Sequence, residues 1–347
     1  MDMLWQPGKI GSMELKNRVV RSATNEHLSE PNGDFSPVWV DALVELAKHE
    51  VGLVITGHIC VDRSQRANEG QPVIDRATAP ELLRQVADGV HSYGGKLVMQ
   101  LSHSGSKALE RVNGRPPKSP ADFTLEELDQ LVDAFVYAAK LCKDCGFDGV
   151  QIHNAHGYLL SSFLNPEENK RTDEYGGSLE NRFRLTARIF REVRAACGAE
   201  FAMLVKMNCN GVGDLPAALR LYEASGVDAI EISGVDFASK AGVKQPFYLE
   251  ELLGAKEDIH TPFILVGGIF SRQTAEQVLA AGIPFVSFCR ALICQPDFIA
   301  RMKRGEQEES TCLACNSCYG IYRKRPVRCV QHQEPIPQLT KNYPSNA

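Results

Sequence analysis

The chain has 347 residues, 44% of them hydrophobic, and a formal charge of −5. That is enough apolar material for a sizeable core, and the mildly acidic balance offers no basic field to nucleic acid, so a small-molecule partner is expected. No apolar run approaches the roughly 20 residues that span a bilayer, and Met1-Asp2-Met3-Leu4-Trp5 is not a basic segment followed by an apolar one, so a soluble, cytoplasmic protein off the membrane is expected.

Short apolar, β-branched runs alternate with longer amphipathic segments about eight times along the chain. Strands are predicted over Val19–Ala23, Gly52–Thr56, Lys96–Leu101, Gly149–His153, Ala202–Met207, Asp228–Ser233, Phe263–Val266 and Phe285–Phe288. Helices are predicted near Val38–His49, Pro80–Tyr93, Leu125–Cys145, Leu179–Ala196, Leu215–Ser225, Leu249–Leu253, Arg272–Ala281 and Asp297–Lys303. The alternation is that of an α/β fold with a parallel sheet and crossover helices, and eight such pairs close a (β/α)8 TIM barrel. The alternative is an open doubly wound sheet, but no G-x-G-x-x-G follows any strand. We expect one barrel domain over residues 1–305 and a cysteine-bearing extension, 306–347, packed on it. The tail after Gln331, rich in Pro and Gln, is expected to wrap the surface or a neighbouring subunit of a homo-oligomer.

Barrel chemistry sits at the C-terminal ends of the strands. His153, His156 and Tyr158 cluster where the fourth strand ends, which marks a reaction centre. Barrels often hold phosphate with the loops after strands seven and eight. Gly267-Gly268 and Cys289-Arg290 fall there, the glycines allowing close backbone approach and Arg290 able to fork onto phosphate oxygens. Lys206, inside the fifth strand, would be an expensive buried charge unless something anionic neutralised it.

The ordered string His153-x-x-His156-Gly157-Tyr158-Leu159, followed by Arg171-Thr172-Asp173-Glu174-Tyr175-Gly176-Gly177-Ser178-Leu179-Glu180-Asn181-Arg182, resembles the signature of the old yellow enzyme family, the FMN-dependent NADH:flavin oxidoreductases. The similarity runs from about Leu4 to Met302. The resemblance implies FMN as cofactor and NADH or NADPH as reductant. It implies hydride transfer from nicotinamide to flavin N5, and then to the β-carbon of an α,β-unsaturated carbonyl or nitro compound. By the same resemblance Gln100 and Lys206 contact the flavin, Ser22-Ala23-Thr24-Asn25 lie along it, His58 meets it through backbone alone, and Gly267, Gly268, Cys289 and Arg290 hold its phosphate. His153 and His156 would hydrogen-bond the substrate oxygen, and Tyr158 would be the proton donor. Arg171 to Arg182 reads as scaffold, with Ser178 as a helix N-cap.

Three positions depart from the family pattern. Cys289 stands where Gly is usual, Asn25 where Thr or Cys is common, and His27 where several relatives place an active-site tyrosine. The chain is also short between Lys118-Ser119-Pro120 and Leu125, which predicts a more open site.

Of eleven cysteines, seven are dispersed and most of these read as small buried hydrophobes, the Cys142-x-x-Cys145 pair included. Cys312, Cys315, Cys318 and Cys329 are different: four thiolates suffice for a [4Fe–4S] cluster or tetrahedral zinc, with free thiols as the other reading. Their arrangement resembles the cluster segment of larger relatives, the dienoyl-CoA reductases and trimethylamine dehydrogenase. Two further functions therefore stay open: a redox module of the amine-dehydrogenase type passing electrons through an iron–sulfur site, and a flavin- or metal-binding protein with little turnover.

Overall fold

The computed structural model describes residues 2–321 and 327–331, and in it the eight predicted strands close into a parallel barrel. In chain order they are β1 (Val19–Arg21), β2 (Leu53–Cys60), β3 (Lys96–Ser102), β4 (Gly149–Asn154), β5 (Ala202–Asn208), β6 (Ala229–Ser233), β7 (Phe263–Val266) and β8 (Phe285–Phe288). Pairing of β8 with β1, Val286 opposite Val19, closes the ring and excludes an open sheet. The crossover helices are α1 (Pro37–Lys48), α2 (Glu81–Ser92), α3 (Leu125–Asp144), α4 (Leu179–Cys197), α5 (Leu215–Ala224), α6 (Leu249–Ala255), α7 (Arg272–Ala280) and α8 (Phe298–Lys303).

The strands are apolar on both faces because both are covered. Val54, Met99, Ile152 and Val205 pack outward in one cluster with Leu83, Phe135 and Ile189 of the helices. Val20, Leu53, Val98, Ala202, Ala229 and Ile264, near the strand starts, face inward. An antiparallel hairpin, Gly8–Ile10 with Met13–Leu15, adds Ile10, Met13 and Leu15 to that inner cluster and plugs the N-terminal end of the barrel. Its strands are too short to leave a period in the sequence. Gly8 is required there, since a Cβ would fall 2.6 Å from the Phe285 ring.

The Arg171–Arg182 segment is scaffold, as expected. Arg171 donates to the carbonyls of Pro120 and Phe123, both at 2.7 Å, and Ser178 Oγ caps α4 by accepting from Asn181 N at 3.3 Å. After α8 the chain returns along the C-terminal rim, where Ser310 N donates to Phe270 O at 2.8 Å and Gly242 N to Ala314 O at 2.9 Å. The expected tail after Gln331 lies outside the described residues. Among the described residues no helix is long and apolar enough to cross a membrane.

Candidate active site

A cleft opens at the C-terminal ends of the strands, with an empty volume of about 1330 Å³ counting its mouth. It gathers every residue read as catalytic or cofactor-contacting: Ser22, Ala23, Thr24 and Asn25 after β1, His58 of β2, Gln100 of β3, His153, His156 and Tyr158 at the end of β4, Lys206 of β5, Gly267 and Gly268 after β7, and Cys289 and Arg290 after β8. His27 is not in the lining; its backbone is left-handed, φ 56°, and its ring packs on Gly70, where a Cβ would lie 2.2 Å from Nδ1. The expected substitution for an active-site tyrosine therefore points elsewhere.

Lys206 Nζ donates to Ser22 Oγ at 2.6 Å and lies 3.4 Å from Glu231 Oε2. The anion that the buried ammonium demands is thus supplied by the protein itself. Glu231 is fully buried and also accepts from Gln151 Nε2 and Ser287 Oγ, each at 2.9 Å. Gln100 Nε2 donates to Gln151 Oε1 at 2.7 Å, completing a polar floor. Gln151 and Glu231 join the site beyond the residues expected from the sequence, although a Glu inside Ala229-Ile230-Glu231-Ile232-Ser233 is as conspicuous a signal as Lys206.

One wall of the cleft is aromatic and neutral. The His153 and His156 rings lie 5.3 Å apart, with Nε2 of the first 3.3 Å from Nδ1 of the second. Ser102 Oγ flanks His153 Nδ1 at 3.2 Å and Ser233 Oγ flanks His156 Nε2 at 2.9 Å. The facing nitrogens of the two histidines are thus within hydrogen-bonding distance of each other. Burial holds His153 well below the usual imidazole range and pushes His156 down to about 3, so both are uncharged near neutrality. Tyr158 stands beside them, 4.7 Å from the His153 ring. His58, expected to meet the cofactor by backbone only, turns its imidazole into the cleft with Nε2 3.4 Å from Tyr158 Oη.

At the end of the cleft where phosphate is expected, the glycine pair has a reason of its own. Gly267 and Gly268 have φ of 118° and 76°, and a Cβ on Gly268 would fall 1.7 Å from Gln245 O, so the crossing 245–248 loop requires glycine. Cys289 needs no glycine, with φ −127°, and its Sγ sits 3.4 Å from Thr24 Oγ1. Arg290 lines the cleft, but its Nη1 donates outward to Ala314 O at 2.9 Å and Asn316 Oδ1 at 2.5 Å. A second, smaller cavity of about 300 Å³ shares Arg290 and is lined by Cys312, Cys315, Cys318 and Cys329. Among the described residues no three of the His, Cys, Asp or Glu side chains are disposed to hold a metal, so these thiols gather without closing on one point. A hydrogen bond from the Cys294 thiol pushes Cys312 down to about 6, while burial pushes Cys318 up to about 12. Cys142 and Cys145 are buried, away from both cavities.

An eight-stranded parallel barrel with a cation floor, a donor wall and a glycine–arginine end at its C-terminal mouth defines a flavin-type oxidoreductase barrel. The chain belongs to the NADH:flavin oxidoreductase / NADH oxidase family, whose model matches residues 3–309, and FMN and NAD(P)H are the cofactor and reductant of that family. It is 29% identical over 360 residues to an NADH oxidase of Thermoanaerobacter brockii, covering 94% of this chain and 55% of that protein. It is 28% identical over 372 residues to a cinnamate reductase of Clostridium sporogenes, covering 92% and 55%. The structure of an old yellow enzyme homologue from Zymomonas mobilis superposes with a TM-score of 0.77 at 23% identity, covering 89% of this chain and 94% of that one. The chain thus spans about half the length of the two curated relatives.

The residues fit FMN. Asn25 lines the cleft, its Oδ1 accepts His27 N at 3.2 Å, and its Nδ2 is buried without a partner among the described residues, a donor awaiting an acceptor. Lys206 and Gln100 present further N–H groups from the floor, and Arg290 a cation at the opposite end.

Proposed function

We propose that this chain binds FMN noncovalently, is reduced by NADH or NADPH, and reduces the activated C=C bond of an α,β-unsaturated carbonyl or nitro compound. The observation that carries the reading is the grouping of Tyr158, His153 and His156 on one wall of the cleft whose floor holds Lys206. Bound FMN would supply the redox chemistry, hydride transfer between nicotinamide and the β-carbon. Lys206 and Gln100 bind the pyrimidine edge, the cation favouring the charge that collects there on reduction. Arg290 and the backbone at Gly267-Gly268 hold the phosphate. His153 and His156 donate to the substrate oxygen; being uncharged, they stabilise developing negative charge without surrendering a proton. Entry of that oxygen replaces the 3.3 Å contact between the two rings. Tyr158 then delivers a proton to the α-carbon. The relative named a cinnamate reductase supports an unsaturated carbonyl substrate for this chain too.

A second reading, transfer of electrons to a group held by Cys312, Cys315, Cys318 and Cys329, is favoured by one contact. Tyr319 lines the cleft, follows Cys318 directly, and its hydroxyl lies 3.7 Å from Cys289 Sγ. Stopped-flow measurement of the two half-reactions on FMN-loaded protein separates the readings. The first expects fast flavin reduction by NAD(P)H and fast reoxidation by 2-cyclohexenone, with reoxidation alone slowed roughly 10²–10⁴-fold in Tyr158→Phe. A protein that cannot be loaded with FMN overturns both.

A further inference from the structure

His58 is the one imidazole of the wall to which neither the family resemblance nor the proposed reaction gives work. Its ring is 4.9 Å from that of Tyr158, and Nε2 is 3.4 Å from the phenolic oxygen. The direction of that contact can be decided from the other side of the ring. Gln71 is fully buried, and its amide is oriented twice over: Oε1 accepts the backbone N–H of Ala67 at 2.6 Å, and Nε2 donates to the backbone carbonyl of His58 at 3.2 Å. A backbone N–H only donates and a carbonyl only accepts, so the amide cannot be flipped. Ser104 Oγ, 3.2 Å from Oε1, is a further donor to the same oxygen. The remaining Nε2 proton of Gln71 faces His58 Nδ1 at 2.6 Å, which makes Nδ1 an acceptor without a proton. A neutral imidazole carries one proton, so it resides on Nε2 and is donated to Tyr158 Oη. Burial keeps the ring neutral, pushing it down to about 4.

We propose that His58 is a positioning residue for proton delivery: held in the Nε2–H tautomer by Gln71, it donates to the Tyr158 oxygen instead of accepting the phenol proton, and steadies the phenolate that remains. This rests on the reading of Tyr158 as the acid. In the step itself the electron pair at the substrate α-carbon takes the proton, the O–H bond breaks, and its electrons stay on the phenolate oxygen. The His58 N–H then becomes a charge-assisted donor, and water returns a proton to Tyr158 through the open mouth. The opposite tautomer would accept the phenol proton and turn it away from the substrate.

The test uses FMN-loaded protein, NADPH as reductant and 2-cyclohexenone as oxidant, with His58→Phe, His58→Gln, Gln71→Glu and Tyr158→Phe. His58→Phe keeps a ring and removes the donor, so reoxidation should slow about 10- to 100-fold, the worth of one hydrogen bond to a charged group, while flavin reduction stays within about twofold. His58→Gln restores an N–H and should recover most of that loss. Gln71→Glu places a carboxylate opposite Nδ1, moves the proton there, and should slow reoxidation as much as His58→Phe with both rings in place. Tyrosine ultraviolet titration of flavin-free protein, with Tyr158→Phe as blank, should show Tyr158 ionising about one pH unit higher in His58→Phe; this reads the same contact if a variant fails to load flavin. Unchanged Tyr158 titration together with wild-type reoxidation in His58→Phe or Gln71→Glu, while Tyr158→Phe is slow, overturns the inference alone. Wild-type reoxidation in Tyr158→Phe overturns the acid assignment beneath it.

Discussion

Replacing Lys206 with Met should do more than remove a cofactor contact, because it strands the carboxylate of Glu231. The ammonium and carboxylate are 3.4 Å apart and both are essentially excluded from water. At an effective dielectric of about 20 their attraction is about 5 kcal/mol, and breaking one partner out of a buried pair typically destabilises by about 3–5 kcal/mol. Urea unfolding of flavin-free Lys206→Met should show a loss of that size. The double variant Lys206→Met/Glu231→Gln should recover most of it, since a neutral amide can accept from Gln151 and donate to Ser287, the two other partners of Glu231. With FMN loaded, Lys206→Met should also lower the flavin potential, through loss of a cation near the charge that forms on reduction. A single variant within about 1 kcal/mol of wild type, or a double variant no more stable than the single, would show that the pair is not the buried unit described.

Arg290→Ala should weaken FMN retention at least about tenfold, the worth of a cationic contact to phosphate; flavin stoichiometry after desalting reads it, and full retention removes Arg290 from the phosphate site. His153→Ala and His156→Ala should each slow reoxidation by an enone about 10²–10³-fold and weaken binding of phenolate ligands, with undiminished phenolate affinity counting against the donor role. His58 and His156 fold at about 4 and about 3, below the unfolded value near 6.5, so the unfolded chain binds more protons. Stability present above pH 6.5 is therefore lost as pH falls toward 4, by about 2 kcal/mol per such residue between pH 7 and 5. Urea midpoints at the two pH values should fall less for His58→Phe than for wild type, and parallel losses would refute the buried neutral state. Finally, iron and zinc assay of anaerobically purified protein tests the second reading: metal in wild type that Cys312→Ser/Cys315→Ser lacks supports it, and wild type without either metal withdraws the metal site.

The barrel was readable because its strands bury both faces and so appear as short apolar runs between amphipathic helices. The hairpin Gly8–Leu15 was not, since three-residue strands have no period to detect. The helices Leu159–Leu164 and Arg290–Cys294 were too short for the same reason. Within the site, His153, His156 and Tyr158 could be placed by their position at a strand end. What the sequence withheld was partnership across the barrel. Lys206 meets Glu231 only because the two occupy matching positions in the β5–β6 register. His58 meets Tyr158 from a strand two places away, and Gln71, which sets its tautomer, comes from a loop. Arg290 turns toward residues 314 and 316, and His27 away from the cleft, through local backbone geometry that residue identity does not encode.

Arg290 lines both cavities, and its guanidinium is held by Ala314 O and Asn316 Oδ1, so occupancy of the two would be linked if filling one re-aimed it. A group that drew the 314–316 segment nearer the thiols would then change the affinity for a phosphate in the cleft. By reciprocity a phosphate seated in the cleft changes the affinity of the thiol cavity by the same factor. Loading the chain with flavin and loading its cysteines would then be two halves of one assembly equilibrium, each drawing the other forward or holding it back.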